Sequence, residues 1–563
     1  MKYYILTLIL SIALSGCKFL DFDESTGKTQ EEAFAYFADV KAMATAAYNK
    51  LPIDFGAIDG AMRESATDNS VYTWNKNKVY DIYNNAWSPL NLIDDKWSTY
   101  YETIYNINFF LENYSEENMQ RYEWTKDYED NIKRTRMYLN EIIVLRALYY
   151  FELVKRYGDV PLITRTYSME EINSVKKSNS AEIFNFIVQQ CDSVKDALPD
   201  SYNEFFGETG RVTKGAAMAI KARALLYAAS KEFNPAEDPE KWKAAAVAAN
   251  DIMEWGYYSL PKRTDDPLFS YEGGNNVLQS SQLIFETRGT ENNAFEGYNM
   301  PIGFEGGNSG NTPTQNLVDE FEFLNEDGTA EDFDWNNPQH VKNMYYRNDG
   351  STTRDPRLYM TVVCNGMNFM NTVVETFENG RNGLPQEGAT MTGYYLKKLM
   401  NEGVSLDPVT PVRKFHHFPN YRYAEVLLNY AEAMNEWKDP DYVDGLLRVS
   451  AVNALNEVRA SAGMPPISQT LTKEEFRERV RRERRIELAF EDHRFWDIRR
   501  WKCGEVVKDI YGVKIKKTGS NKYTYEKQLV QNRVWEDKMY LYPIPQKETQ
   551  VNGNLFQNPG WNN

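Results

Sequence analysis

Helical periodicity is the feature of this 563-residue chain that most constrains its fold. Through most of the first half, apolar residues recur at three- and four-residue spacing, as they do on one face of an α-helix. The segments with this pattern are 33–51, 97–114, 128–157, 181–198, 212–233 and 241–255. They recur about every 30 residues, near the ~34 of tetratricopeptide repeats. The spacing predicts a mainly α-helical scaffold of stacked helical hairpins.

The later segments of this half are crowded with alanine, between Ala216 and Ala229 and between Ala244 and Ala249. Small side chains let helix axes approach closely, which agrees with stacked hairpins. Residues 261–420 differ, because Gly, Asn and Asp replace the periodic pattern. A loop-rich stretch of this length inside a helical protein is usually functional. Helices are predicted again at 423–437, 446–462 and 472–490, and the chain after Trp501 is predicted to be irregular.

Composition excludes several classes of protein. With 64 Lys+Arg against 81 Asp+Glu the formal net charge is −17, whereas a general nucleic-acid binder needs a basic surface. No Ser/Gly-rich or Pro-rich linker divides the chain, so we expect one large domain. Four cysteines form no CxxC pair, which excludes zinc ribbons and thioredoxin-like chemistry.

The N-terminus has the pattern of an exported lipoprotein. Residues 1–16 hold a basic Lys2 and an apolar run shorter than the ~20 residues that span a bilayer. The run ends at Leu14-Ser15-Gly16-Cys17, which resembles a bacterial lipobox, so 1–16 is predicted to be a lipoprotein signal peptide. Cys17 would be acylated and begin a tether over 17–24, and more than one acyl chain makes such anchoring stable. The alternative is a plain secretory signal with a chance cysteine.

The C-terminal third carries a series of ordered motifs, at 422–434, 454–459, 481–501, 542–545 and 557–560. Further motifs lie upstream, at 145–151, 157–161, 210–216 and 354–357. In this order, and with the lipobox, they resemble the SusD/RagB family of outer-membrane nutrient-binding lipoproteins. The resemblance spans the chain from the lipobox to its C-terminal end. It divides one SusD-like domain into helical repeats at 25–260, a loop-rich, ligand-facing part at 261–420, and C-terminal helices with the signature tail at 421–563.

The resemblance implies a non-catalytic, cell-surface glycan-binding protein. Such a protein is held in the outer membrane by its lipid anchor and delivers oligosaccharide to a SusC-like TonB-dependent transporter. Two alternatives stay open: a transporter lid with little glycan affinity of its own, and a glycoside hydrolase. Because the chain is acidic, neutral glycans are favoured over uronic-acid or sulfated ones, although local Lys and Arg can override the net charge.

The residues themselves give an enzyme little support. A hydrolase needs two suitably separated carboxylates, but among 81 acids some pair always qualifies in sequence. Of the four histidines, His416 and His417 are adjacent and lack the i,i+4 spacing of a helical zinc site. The basic stretch 481–500 is interleaved with acids at spacings suited to ion pairs, so we expect a structural network there rather than an anion site.

Sugar binding needs aromatic faces for the C–H faces of pyranose rings and polar side chains for the hydroxyls. Loops that combine both types supply the candidates, which are Tyr72, Trp74, Asn75, Asn85, Trp87, Tyr298 and Trp335. Trp74, Trp87 and Trp335 are the principal stacking candidates, and the alternative for each is that it anchors its loop in the core. For Trp97, Tyr101 and Tyr105, at helical spacing, a core role is favoured. No cofactor is expected; Asp and Asn in the loops leave Ca²⁺ open, without a motif for it.

Overall fold

The computed structural model describes residues 29–205, 207–269, 274–468 and 470–561, with the side chains of 274 and 275 excepted. The predicted signal peptide 1–16, Cys17 and the tether 17–24 lie outside the described residues. The first half is a succession of helices, and each of the longer ones packs on the next. Their bounds are Gln30–Ala35, Phe37–Ala46, Trp97–Asn113, Glu116–Met119, Tyr128–Tyr157, Met169–Ile172, Ser180–Val194, Lys214–Ala229 and Pro239–Trp255. The predicted helical scaffold is confirmed.

The alanine-rich helices pack as their composition predicts. Lys214–Ala229 and Pro239–Trp255 lie against each other, and Ala216, Ala246 and Ala249 are completely buried. The second of these helices also contacts Tyr423–Trp437, so the C-terminal helices continue the scaffold. The remaining helices are Ala294–Asn299, Gln315–Val318, Pro338–Lys342, Pro356–Thr361, Ala451–Ser461, Lys473–Glu487, Arg494–Arg500 and Gln546–Val551. A capping box of Thr472 and Glu475 opens Lys473–Glu487, because each side chain accepts the other's backbone N–H.

Six two-stranded antiparallel sheets occur among the described residues. The strand pairs are Ser70–Tyr72 with Asn311–Pro313, Leu283–Asn292 with Lys414–Arg422, Phe323–Leu324 with Ala330–Glu331, Val362–Val363 with Tyr395–Leu396, Asn368–Phe369 with Thr372–Val373, and Asp509–Gly519 with Lys522–Asn532. Most of them lie in 261–420, the stretch predicted to be loop-rich. The first pair joins the N-terminal half to this stretch.

The prediction of an irregular chain after Trp501 is wrong. Asp509–Gly519 and Lys522–Asn532 form a long β-hairpin. Ile510, Val513 and Ile515 are buried in its first strand, whereas most of the second strand is exposed or partly exposed. Buried and exposed side chains alternate only partly along the hairpin, because register shifts interrupt the pairing of its strands. This weakens the two-residue periodicity by which a strand is recognised in sequence.

Two large hydrophobic clusters form the core. One belongs mainly to the helical scaffold and includes Tyr149, Leu427 and Trp496. The other lies under the loop-rich part and includes Phe321 and Tyr394. No helix of the described chain is both long enough and apolar enough to cross a bilayer.

The basic stretch 481–500 forms the predicted network of buried ion pairs. Arg484 Nε lies 2.8 Å from Asp497 Oδ2, and Arg500 Nη1 lies 2.6 Å from Glu432 Oε1. Since removing one partner of such a pair leaves an uncompensated buried charge, these contacts hold the helices in one arrangement.

Candidate ligand-binding site

The site begins at the short strand Ser70–Tyr72. It pairs with Asn311–Pro313 in a register that sets Tyr72 opposite Asn311. The contact continues past the strand, because Thr73 N donates to Gly310 O over 2.9 Å. The segment that carries Trp74 therefore lies beside residues more than two hundred positions later in the chain.

Trp74 is held in a fixed orientation. Its Nε1–H donates to Asn308 O over 2.7 Å, and its six-membered ring lies close to the backbone of Gly388. A Cβ at position 388 would lie 3.1 Å from Trp74 Cζ2, and Gly388 has a φ of +77°. Only glycine adopts that conformation readily and also leaves room for the indole. The indole is partly exposed, so it can offer part of its surface to a ligand.

Tyr298 joins the same region from the helix Ala294–Asn299. Its ring packs on two glycines, because a Cβ at Gly60 would lie 2.9 Å from Tyr298 Cδ1 and one at Gly56 would lie 3.1 Å from Cδ2. A Cβ at Gly60 would also lie 2.8 Å from the Tyr72 hydroxyl oxygen. Tyr72 and Tyr298 therefore meet at Gly60, with Tyr298 partly exposed and Tyr72 buried.

The buried Tyr72 hydroxyl stays protonated at physiological pH. Burial, and then the neighbouring Tyr298 hydroxyl, raises the pKa of Tyr72 to about 12. Tyr72 thus supports the site from below rather than supplying a free ring face.

A buried polar layer fixes the segment before Trp74. Asp68, just before the strand, lies 2.8 Å from Arg494 Nη2 and 2.9 Å from Arg485 Nη2. Burial raises the pKa of Asp68, but these two guanidinium groups outweigh it and hold that pKa below its ordinary value. Arg533 adds hydrogen bonds to the backbone oxygens of Thr67 and Ser70. The C-terminal network is therefore what holds the aromatic segment in place.

Gly310 links the two segments, because its N–H donates to Tyr298 O and its carbonyl oxygen accepts from Thr73 N; we call the group of Trp74, Tyr298 and Tyr72 the aromatic platform. Exposed polar side chains adjoin its contacts along the chain, at Asn75, Lys76, Gln386 and Glu387. Amide and carboxylate groups of this kind suit hydroxyl-bearing ligands. The platform thus combines aromatic surface with hydrogen-bonding groups.

The structure does not bring the other sequence candidates into the platform's contacts. Trp87 is 3% exposed and packs edge-on against Tyr542 and Trp561, with ring centroids 4.7 and 5.2 Å away. It anchors its loop in the core, the alternative left open for it, and has no free face for stacking. Asn85, nearby in sequence, is exposed and adopts a φ of 68°, so its position is that of a turn residue.

Trp335 lies elsewhere and is partly exposed. It donates through Nε1 to Asp319 Oδ1 over 3.0 Å and packs edge-on against Phe333. It belongs to the hydrophobic cluster under the loop-rich part, whereas Trp74 packs against that of the helical scaffold. None of the contacts described above for Trp74, Tyr72 or Tyr298 includes Trp335.

The sequence reasoning missed the segment 379–388, which supplies Gly388 under the indole. Asn382 is buried and donates through Nδ2 to Ile302 O over 2.6 Å, which ties this segment to the one carrying Asn308. The high content of Asn and Gly in this segment is typical of a loop, but nothing in the sequence indicates that the segment contacts Trp74.

Two observations bear on chemistry at the site. Burial raises the pKa of Glu64 to about 7, which would suit a general acid. However, Glu64 is completely buried and its Oε1 accepts from Asn69 Nδ2 over 2.7 Å, so it has no access to a ligand. Within the described ranges, no cluster of His, Cys, Asp or Glu could hold a metal ion.

Family models match most of the chain. Residues 269–561 match the model described as the SusD family, and residues 18–226 match one described as starch-binding associating with outer membrane. The chain belongs to the SusD family. The first matched region includes Tyr298, Asn308 and Gly388, and the second includes Tyr72 and Trp74.

Curated relatives and solved structures agree with this assignment. SusD-like protein P38 of Formosa agariphila is 24% identical over 90% of this chain and 93% of its own. A SusD-like protein from Bacteroides fragilis is 27% identical, with a TM-score of 0.73 over 94% of this chain and 98% of that one. A second, from the same organism and described as a SusD-like carbohydrate binding protein, is 26% identical, with a TM-score of 0.70 over 93% of this chain and 100% of the other.

Proposed function

We propose that this SusD-family protein binds oligosaccharide at the aromatic platform. The observation that carries the proposal is that Trp74 and Tyr298, distant in sequence, are both seated on glycine backbone and both partly exposed. Rings held in this way can pack against the C–H faces of pyranose rings. The description of the second Bacteroides fragilis relative as carbohydrate-binding supports the same ligand class.

The larger role proposed is that of a surface lipoprotein. Acylated at Cys17, it would face the cell exterior from the outer membrane and pass its ligand to a SusC-like TonB-dependent transporter. The description of the N-terminal family model as associating with the outer membrane and the lipobox sequence support this role. Capture by a few stacking and hydrogen-bonding contacts suits it, because such binding is weak enough for release.

Two alternatives make different predictions. A transporter lid without glycan affinity would co-purify with a barrel protein and give no heat in isothermal titration against a panel of plant and host glycans. A glycoside hydrolase would release reducing ends from a polysaccharide. We favour binding without catalysis, because Glu64 and Asp54, two carboxyls near the platform whose pKa values burial raises, are both completely buried.

The test is isothermal titration with the panel of plant and host glycans. Binding affinity is measured first for the parent protein and then for the Trp74→Ala and Tyr298→Ala variants. Loss of one aromatic stacking contact costs about 0.5–1.5 kcal/mol beyond its lost contact area, so we expect each variant to bind at least about threefold more weakly.

Trp335→Ala is the matched control, since it removes an equally large, partly exposed ring outside the platform's contacts. If only this variant loses affinity, Trp335 is the stacking residue and the platform assignment is wrong. If all three variants bind like the parent, neither surface is the glycan site.

A further inference from the structure

A separate cavity, built from none of the platform residues, is lined by Arg263, Leu268, Phe269 and Val277 and by the segments 398–401 and 415–417. Its inner part has a volume of about 50 Å³, several times the ~10–15 Å³ that a single water needs. Arg263, Phe269 and Met360 line both this inner cavity and a wide pocket of about 1260 Å³ outside it. A group of several atoms can therefore enter the inner cavity while the rest of its molecule stays in the outer pocket.

The polar side chains of the inner cavity are buried and only partly hydrogen-bonded. Asn401 is 3% exposed; its Oδ1 accepts from Gly403 N over 2.9 Å, while its Nδ2 has no hydrogen-bond partner among the described residues. Arg263 donates through Nη1 to Glu487 over 2.5 Å, but its Nε has none either. Buried donors are normally satisfied, so two unpaired donors on one cavity point to a ligand group that accepts hydrogen bonds.

His417 adds a third unpaired group. Its ring is buried, its Nε2 lacks a partner within the described chain, and its Nδ1 lies 3.4 Å from Glu286 Oε1. By contrast, the neighbouring His416 is bonded at both nitrogens, to Lys414 O and to Glu296. His417 Nε2 is therefore available to donate to a bound acceptor in the appropriate tautomer.

The charge of the inner cavity is unusual for so acidic a chain. Arg263 and Lys398 line it, and no Asp or Glu of the described residues does. Lys398 Nζ lies 2.6 Å from Glu491 Oε1, and Glu491 is not one of the residues that line the cavity. Burial, and then the charge of Arg263 against the opposing effect of Glu491, lowers the pKa of Lys398 to about 8. Each of these cations already has a carboxylate partner, Glu487 for Arg263 and Glu491 for Lys398, so the affinity of the cavity for an acceptor rests on its unpaired donors.

The residues of the outer pocket indicate which kind of anion the cavity could bind. Its rim carries neutral hydrogen-bonding side chains at Thr264, Asn276, Gln279, Thr352 and Tyr359. It also carries more acids than bases, with Asp265, Asp266 and Glu402 against Arg263 and Lys414. Such a rim suits hydroxyl groups and disfavours a ligand with several negative charges.

We propose that this cavity binds a uronic-acid sugar, with its carboxylate among Arg263, Asn401 and His417 and its hydroxyl groups in the outer pocket. Three unpaired groups at one cavity would here override the preference for neutral sugars that the net charge of −17 suggests. The proposal does not rest on the function of the aromatic platform, because the two sites share no residue.

The test is isothermal titration of the purified protein with D-glucuronate, D-glucose and acetate at pH 7. We expect glucuronate to bind at least about tenfold more tightly than either of the others, a difference of 1.4 kcal/mol. Glucose lacks the carboxylate and acetate lacks the hydroxyl groups. Equal binding of glucose or acetate, or no binding of glucuronate, would overturn the proposal and leave the inner cavity as a site for ordered water.

Asn401→Asp is the decisive variant. It keeps the oxygen that accepts from Gly403 N but replaces the unpaired donor with a negative charge, so glucuronate should bind at least about tenfold more weakly. Asn106→Asp is the matched control, since Asn106 is exposed on the helix Trp97–Asn113 and lines neither pocket, so the same substitution there should change the affinity much less. If both variants lose affinity equally, the effect is general electrostatics and the proposed carboxylate position is wrong.

Two further variants keep the result interpretable. His417→Leu removes the third unpaired group without adding charge and should also weaken glucuronate binding; if Asn401→Asp does not fold, unchanged binding by His417→Leu refutes the site. Trp74→Ala should bind glucuronate like the parent, whether or not the platform binds glycan. Loss of glucuronate binding in Trp74→Ala would show that the sugar acid binds at the platform instead.

Discussion

Gly388→Ala tests how the platform is built without removing any aromatic ring. The new Cβ would lie 3.1 Å from Trp74 Cζ2 and 3.2 Å from Cη2, closer than the ~3.5–4.0 Å of a favourable carbon contact. The indole must then shift, which strains its hydrogen bond to Asn308, a contact worth about 0.5–1.5 kcal/mol. The φ of +77° adds backbone strain of about 1–2 kcal/mol for any residue with a Cβ.

Gly366→Ala separates the two effects. Gly366 has a φ of +82°, but a Cβ there would meet no described atom within 4 Å. Both variants therefore bear a similar backbone strain, and only Gly388→Ala also displaces the indole. In urea unfolding, we expect Gly388→Ala to lose about 1 kcal/mol more than Gly366→Ala. In glycan titration, Gly388→Ala should weaken binding by about three- to tenfold, while Gly366→Ala should not.

The same comparison in the Trp74→Ala background completes the test. Without the indole the two glycine substitutions should cost the same, because the contact that distinguishes them is gone. If Gly388→Ala already matches Gly366→Ala in the parent and binds glycan normally, the indole is not held by Gly388 and the reasoning for the platform fails.

Three other substitutions test the buried groups around the site. Asp68→Asn should destabilise the protein by about 3–5 kcal/mol in urea unfolding, because it leaves the buried Arg494 without its carboxylate partner and Arg485 with Glu320 alone; Glu116→Gln, in an exposed ion pair with Arg136, should cost less than about 1 kcal/mol. Glu64→Gln should become progressively more stabilising relative to the parent from pH 5 to pH 7 and then stay constant. Over this range the parent's carboxyl is ionised in the unfolded chain but protonated in the folded one, where its pKa is about 7, so it must take up a proton on folding, at a cost that grows to about 3 kcal/mol; a difference that does not change between pH 5 and pH 7 would contradict this. Trp87→Ala should lower stability by about 3–5 kcal/mol with unchanged glycan affinity per folded molecule, and selective loss of binding would show that Trp87 contacts the ligand after all.

The local pattern of apolar residues was enough to predict the helical scaffold. A helix is stabilised by contacts three and four residues apart, so the periodic apolar residues in 128–157 and 423–437 predict helices that the structure confirms. The ordered motifs between 145 and 560 also predict the family correctly. The hairpin after Trp501 was missed because register shifts interrupt its alternation.

The site depended on contacts that sequence spacing does not encode. Trp74 and Trp87 both stand in Asn-containing segments, and the sequence does not distinguish them. The structure does, because Tyr542 and Trp561 cover Trp87, whereas Asn308 and Gly388 support Trp74 and leave it partly exposed. The inner cavity likewise draws its unpaired groups from three separate segments, at Arg263, Asn401 and His417.

The sequence by itself determined the helical class and the family, and it predicts export and lipid anchoring, since each of these depends on neighbouring residues or on their order. Only the tertiary structure decided which aromatic rings are free and which buried donors lack partners. The physical reason is that exposure and hydrogen-bond satisfaction depend on whatever else the folded chain brings to the same place.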